Sequence, residues 1–277
     1  MAIKKIAIII QARMQSTRLP GKVMLPLPLK SGKPLLGWVV DGLQKVALEK
    51  VIIVATTQHP EDDAIVSFCQ LHKVQYYRGS EKDVLSRYQE ITEKGDYEHI
   101  VRYTADNPFV DSEIIKNAID FHIENDFDIT YTSGLPLGVH VEIIKRKPLL
   151  ELTQVELSEM DREHVTLYFL EKEQYKKGNY KPQVNPKLQD LRVTVDYPSD
   201  FLVASSILSF SEGGKDQGIS LIEKVYNQYP WIFEANKGNF HKNPTNSLSA
   251  EVEEAKMVLT RLDLIRAAKL LDKNKKA

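Results

Sequence analysis

With 37 Lys and Arg against 38 Asp and Glu, this 277-residue chain has a net charge of -1 and lacks the basic excess of a general nucleic-acid binder. Its length fits one large domain, or one domain with an appendage, and is enough to bury a core without staples. The lone cysteine, Cys69, excludes an internal disulfide framework, suits a cytoplasmic location and is expected as a small core residue.

The chain opens with Ile6-Ala7-Ile8-Ile9-Ile10, a β-branched run predicted as a buried strand of a parallel sheet. It leads straight into QARMQSTRLPGK, Gln11 to Lys22, rather than a signal-peptide cleavage region, and no run in the chain is long enough to span a bilayer. The loop carries Arg13, Arg18 and Lys22 with no carboxylate among them. At the carboxyl end of a strand, where open α/β sheets bind ligands, such a loop suits a polyanion, with arginine forks and a lysine point charge. It is not a P-loop: Ser16 stands where the first glycine is needed, and Val23 follows Lys22. The G-x-G-x-x-G fingerprint is absent as well. A solvated basic loop is the plain alternative; the position after the first strand favours phosphate.

Helical spacing over Leu35–Val46 is followed by a strand, Val51–Ala55, ending in Thr56-Thr57. Glu61-Asp62-Asp63 opens a helix to about Leu71. A strand from Val74 to Tyr77 leads into Arg78-Gly79-Ser80, and a helix spans Asp83–Lys94. His99–Tyr103 is the fourth strand, a helix runs from Asp111 to about Asn125, and Asp128–Thr132 is strand-like. This alternation predicts an α/β fold with a doubly wound, mostly parallel sheet. Leu137–Lys145 then alternates as a strand on an antiparallel flank. A helix is expected within Met160–Tyr175, a polar connection over Lys176–Pro186, a strand at Leu191–Val195 and a helix opening at Pro198. Gly238–Ser249 reads as a linker, and Ser249–Lys273 as one long amphipathic helix that packs on the domain or in a second subunit. The division is therefore a domain over 1–237 and a linker with helix over 238–277.

Two carboxylates, Asp106 and Asp196, follow β-rich runs and precede a proline within two residues. Singly, each reads as a helix cap or turn former. Together, on the rim that carries the basic loop, they suit Mg2+, which takes one or two carboxylates and completes its shell with substrate phosphates.

IIQARMQSTRLPGK, RYTADNP (Arg102 to Pro108) and RVTVDYPSD (Arg192 to Asp200) together resemble the signature segments of the sugar-activating cytidylyltransferases. The match is to the spore coat polysaccharide biosynthesis protein F family, which is related to CMP-3-deoxy-manno-octulosonate and acylneuraminate cytidylyltransferases, and it spans about Ile3 to Asn236. The resemblance implies a Rossmann-like nucleotide-diphospho-sugar transferase fold. It also implies Mg2+-dependent cytidylyl transfer from CTP to a sugar or sugar acid with pyrophosphate release, for surface polysaccharide synthesis. It assigns nucleotide binding to Gln11, Ala12, Arg13, Ser16, Thr17, Arg18, Lys22, Thr56, Arg78, Ser80 and Thr104, with Arg78 and Ser80 against the base. Asp106 and Asp196 become metal ligands, and with Arg13 and Lys22 the catalytic set. The acceptor falls to His140, Glu142, Arg162 and His164. GVHVE stands where the family shows G-L-D-V-E, so His140 replaces an Asp, and Asp161 to Thr166 matches D-R-E-H-V-T. Plainer alternatives are a surface ion pair from Arg78 to Glu81 or Asp83, an ordinary strand residue at His140, and a charged first helical turn at Asp161–Glu163. Related synthetases are often dimers, which leaves a homodimer and a monomer both open. A second reading is a glycosyltransferase using a sugar-nucleotide donor, but the one strict D-x-D tract is Asp126-Phe127-Asp128, and Asp161-Arg162-Glu163 matches it only in charge.

Overall fold

The computed structural model describes residues 6–212, 216–239 and 248–273. Its centre is β1 (Ile6–Gln11), whose apolar run is buried because both faces and both edges are covered. It pairs in parallel with β2 (Lys50–Thr57) on one side and β4 (His99–Thr104) on the other. Adding β3 (Gln75–Gly79), β5 (Ile129–Thr132), β6 (Glu142–Lys145) and β7 (Lys177–Tyr180) gives a seven-stranded sheet of order β3-β2-β1-β4-β6-β5-β7. Only β6 runs against its neighbours, β4 and β5. The expected doubly wound α/β architecture with an antiparallel flank is thus observed.

Strand alternation divides the core into two layers. Ile6, Ile8 and Ile10 face a layer built with α1 (Leu35–Gln44), α2 (Asp63–Leu71), α4 (Ser112–Glu124), α8 (Pro198–Leu208) and α9 (Ile219–Gln228). Ala7 and Ile9 face α3 (Val84–Lys94) and the segment holding α5 (Arg146–Glu151), α6 (Glu159–His164) and α7 (Leu167–Glu171). Cys69 is buried in the first layer, where burial pushes its thiol up to about 12; it is a core residue, not a thiolate nucleophile.

Several sequence expectations are corrected. The Leu137–Lys145 run forms a strand only from Glu142. Gly138 has φ +111°, and a Cβ there would drive into the backbone of Thr194. The Leu137 carbonyl accepts the N–H groups of Val193 (2.8 Å) and Thr194 (3.0 Å). Leu191–Val195 is accordingly no strand of the sheet; a single parallel bridge, Leu137↔Arg192, replaces the ladder, and its alternation reflects burial of Val193 and Val195. The helix expected within Met160–Tyr175 breaks at Val165, buried at φ +60°. There Thr166 N–H bonds the His164 carbonyl at 2.5 Å, a tight three-residue turn that strains a β-branched residue. The polar connection over Lys176–Pro186 contributes β7. The C-terminal helix is two, α10 (Leu248–Arg261) and α11 (Ile265–Lys273), broken at Asp263 with φ +59°. Most of the expected linker, residues 240–247, lies outside the described residues.

Candidate active site

Three hydrogen bonds bring the signature segments to one level. Ala12 N–H donates to Ala55 O and Ala105 N–H to Gln11 O, both at 3.1 Å, extending the parallel register past the ends of the strands. Val195 N–H donates to Asp106 O at 2.9 Å and ties the two carboxylate-bearing segments together.

The basic loop is folded from within and anchored from outside. Gly21, at φ +70°, donates its N–H to Met14 O at 2.8 Å, a conformation that glycine adopts without cost. Met14 N–H donates to Asp62 Oδ1 at 2.7 Å, while Asp62 Oδ2 accepts from Thr57 N–H (3.1 Å) and the Thr57 hydroxyl (2.5 Å). Asp62 is 1% exposed. In sequence it reads only as an acid opening a helix; its anchoring of the loop across 48 residues leaves no local signal. Arg13 through Thr17, Pro20 and Gly21, with Glu61 and Glu81, line a cleft of about 590 Å³, within the range of small-molecule sites.

Lys22 follows the loop in a 3-10 turn and is buried. Its ammonium lies between the two carboxylates, 2.8 Å from Asp106 Oδ2 and 2.9 Å from Asp196 Oδ1. Asp196 also meets Arg18 at 3.1 Å and Arg192 at 3.0 Å, and the Arg18 guanidinium stands 4.6 Å over the Tyr197 ring. Burial alone would push the Asp196 carboxyl up, but Lys22, Arg18 and Arg192 together hold it below its ordinary value. Burial likewise opposes the charge on Lys22, yet Asp106 and Asp196 raise its pKa overall. Behind Asp196, Arg192 forks onto Asp200 at 2.9 and 3.0 Å. Asp200 also accepts from the N–H groups of Asp196 and Tyr197 and from the amides of Asn236 and Asn239. The buttress fixes the backbone from which Asp196 projects.

The other nucleotide-side residues divide. Gln11 accepts from Arg102 Nε (3.2 Å) and the Tyr88 hydroxyl (3.3 Å). Thr56 is fully buried with its hydroxyl unpartnered, Thr104 accepts from Asn107 at 2.8 Å, and Ser80 accepts the Asp83 N–H at 3.1 Å. Arg78 directs its donors to Thr57 O and His59 O, both at 2.8 Å, and to Asp63 at 2.5 Å. Its ion pair is with Asp63, not with Glu81 or Asp83, and this geometry leaves it holding the loop after β2. Arg13 reaches 3.5 Å from Glu163, which links the basic loop to α6.

On the acceptor side, Glu142 is shared between Arg102 at 2.5 Å and the Thr166 hydroxyl at 3.0 Å. Arg162 pairs with Asp83, the N-cap of α3, at 2.6 Å. Asp161 closes a capping box with Ser158. His140 Nδ1 lies 3.0 Å from Thr132 O, which fixes the tautomer with hydrogen on Nδ1. His164 takes part through its carbonyl, the acceptor of the tight turn at Val165.

Among the described residues no three His, Cys, Asp or Glu side chains converge as a metal cage. The Asp106–Asp196 pair is nonetheless a fit donor set for Mg2+, because the pair already brackets one cation, the Lys22 ammonium, and phosphate oxygens complete such shells.

A basic loop and a cation-bridging carboxylate pair at the carboxyl ends of a parallel sheet define a nucleotidyltransferase. The cytidylyltransferase family model matches residues 7–237, and the chain belongs to that family. It is 36% identical over 168 residues to the spore coat polysaccharide biosynthesis protein SpsF of Bacillus subtilis, covering 59% of this chain and 69% of that one. It is 36% identical over 118 residues to a 3-deoxy-manno-octulosonate cytidylyltransferase of Photorhabdus laumondii, covering 41% and 44%. Among solved structures, a cytidylyltransferase from Leptospira borgpetersenii superposes with a TM-score of 0.77 at 27% identity, covering 87% of this chain and all of that one. A CMP:2-keto-3-deoxy-manno-octonic acid synthetase complexed with CTP shares the fold, with a TM-score of 0.56 at 15% identity, covering 74% and 99%. No helix among the described residues is long and apolar enough to cross a membrane.

Proposed function

We propose that this enzyme transfers the cytidylyl group of CTP to a sugar or sugar acid and releases pyrophosphate, in the cytoplasm, for surface polysaccharide synthesis. The observation that carries this reading is the Asp106–Lys22–Asp196 bridge beside the basic loop. Arg13, Arg18 and Lys22 take the triphosphate, and the loop's Gln11, Ala12, Ser16 and Thr17 flank it. Asp106 and Asp196 hold Mg2+, which supplies charge neutralisation at the reacting phosphate. Lys22 then exchanges its carboxylate partners for phosphate oxygens, so that a positive charge already in place meets the charge that builds as pyrophosphate departs. The Asp200 buttress keeps Asp196 from moving during that exchange. Thr56 and Thr104 border the nucleotide at the ends of β2 and β4.

The acceptor is placed beside the Arg102–Glu142–Thr166 network, with Arg162 and His164 on its far side. With hydrogen on Nδ1, His140 offers Nε2 as an acceptor for a hydroxyl. Residues 1–237 form the catalytic domain. Residues 238–277 are read as a linker and helical appendage, and exposed Leu262, Leu264 and Leu270 suit a homodimer contact. The glycosyltransferase reading loses ground, because Asp126 and Asp128 face Lys145 and Asp161 caps its own helix.

The test is a nucleotide panel. Purified protein with Mg2+, a pool of sugar acids and sugar phosphates, and each of CTP, UTP, GTP or ATP is assayed for pyrophosphate. Acceptor-dependent release with CTP, lost in Asp106→Ala, is expected. Absence of Mg2+-dependent CTP binding would overturn the reading.

A further inference from the structure

The carboxylate behind the metal pair is held by more than a helix cap requires. Asp200 is 1% exposed, and among the described residues six donors meet it, three on each oxygen. Oδ2 accepts from Arg192 Nη2 and from the Asp196 and Tyr197 N–H groups, each at 3.0 Å. Oδ1 accepts from Arg192 Nε at 2.9 Å, Asn236 Nδ2 at 2.9 Å and Asn239 Nδ2 at 2.7 Å. A carboxylate offers about four lone-pair sites, so this one has none to spare and no freedom to turn. Capping α8 takes only the Tyr197 N–H.

The two asparagines belong to one turn. Asn239 N–H donates to Asn236 O at 2.9 Å, which closes residues 236–239 and presents both amides to Asp200. Asn236, 1% exposed, also donates to the Arg192 carbonyl at 2.9 Å, and Asn239 to the Ser199 hydroxyl at 2.8 Å. The turn therefore grips Arg192, Ser199 and Asp200, which flank Asp196 in the chain. Both amides are neutral. They complete the hydrogen bonding of a buried anion, which an ion pair alone leaves unfinished, and they add no positive charge to compete with a metal at Asp196. Burial would push the Asp200 carboxyl up; Arg192, the Tyr197 N–H and Asn239 bring it below its ordinary value. Asn239 lies past residue 237, in the stretch read as linker, so its place in the chain gives no reason to group it with the site.

We propose that Asn239 is a positioning residue for the metal site: with Asn236 it clamps Asp200, and Asp200 in turn sets the backbone and the Arg192 partner of Asp196. The inference rests on the cytidylyltransferase reading and carries that site into the linker. Removing an outer partner of a metal ligand changes metal affinity about tenfold to a hundredfold, and Asn239 stands one contact further back, so its effect should be smaller.

Mn2+ titration of the full chain with saturating CTP and no acceptor, read by electron paramagnetic resonance, tests it on the wild type, Asn239→Ala, Asp200→Asn and the double variant. Thermal melts and calorimetric CTP binding without metal accompany it. Asn239→Ala should bind the CTP-dependent Mn2+ about threefold to tenfold more weakly. It should keep its metal-free CTP affinity and melt close to the wild type, because Asn239 is partly exposed. Since the effect passes through Asp200, the double variant should bind Mn2+ no more weakly than Asp200→Asn. Unchanged Mn2+ affinity in Asn239→Ala would overturn the proposal, as would additive losses in the double variant or an equal loss of metal-free CTP binding. Should Asn239→Ala fail to fold, the isosteric Asn239→Asp, which sets a carboxylate against Asp200, decides: weakened Mn2+ binding with metal-free CTP affinity kept supports the proposal, and wild-type Mn2+ binding overturns it. A wild type without CTP-dependent Mn2+ binding would overturn the parent reading too, whereas such binding indifferent to position 239 removes this inference alone.

Discussion

Asp196, half-buried, and Arg87, buried, are charges near the carboxyl ends of the strands, and their surroundings differ. Asp196 has three cations on it and a second buried carboxylate behind. Arg87 has one backbone carbonyl and an orphaned nitrogen. The first region is neutralised before any ligand arrives, so ligands must exchange with partners already present. The second is packed under Gly79 at the end of β3, with Asp62 and Glu163 only at a distance as counter-charges. Rigid positioning of reacting phosphate calls for the first arrangement.

The largest expected effect is on the neutralised region. Asp106→Ala and Asp196→Asn should each lower turnover by at least about a thousandfold, measured as pyrophosphate release under saturating CTP. Wild-type turnover in either would break the comparison, since the pair would then be structural. Asp200→Asn should follow, costing about 3 kcal/mol of stability in urea denaturation because Arg192 loses its forked partner. Arg78→Ala should cost about 1–2 kcal/mol, from two carbonyl hydrogen bonds and one exposed ion pair, and should leave the ratio of CTP to UTP affinity unchanged.

The smallest effect is in pH. Asp196 and Asp200 are held below the ordinary carboxylate value, so their contribution is full above the range where unfolded carboxylates titrate. It is lost as the pH falls through their folded values. Lys22 is raised, so its share persists at neutral pH and disappears only as the pH climbs through its elevated value. Denaturation midpoints should therefore fall steeply on the acid side, and less steeply in Asp200→Asn.

What was legible in the sequence was the part that depends on neighbours in the chain. The run Ile6–Ile10 read as a covered strand, and the place of Arg13, Arg18 and Lys22 directly after it favoured the ligand-binding rim over a solvated basic loop. Asp106 and Asp196 were found because each follows an extended apolar segment. The partners of these groups were not legible in the same way. Lys22 meets Asp106 and Asp196 across 84 and 174 residues, and nothing in a local pattern says that an ammonium will lie between two carboxylates. Val165 hid the break in its helix, because a β-branched residue gives no turn signal. The alternation of Leu191–Val195 was real but came from burial beside Gly138, not from a ladder.

The central claim, that Asp106 and Asp196 are a metal site masked by Lys22 until nucleotide arrives, is met most directly by titrating Mn2+ and following the free ion by electron paramagnetic resonance. Weak Mn2+ binding to the free protein, one tightly bound ion per chain once CTP is present, loss of that ion in Asp106→Ala, and tighter nucleotide-free binding in Lys22→Met are the expected results. Tight CTP-dependent binding that survives Asp106→Ala and Asp196→Asn would contradict it and place the metal elsewhere.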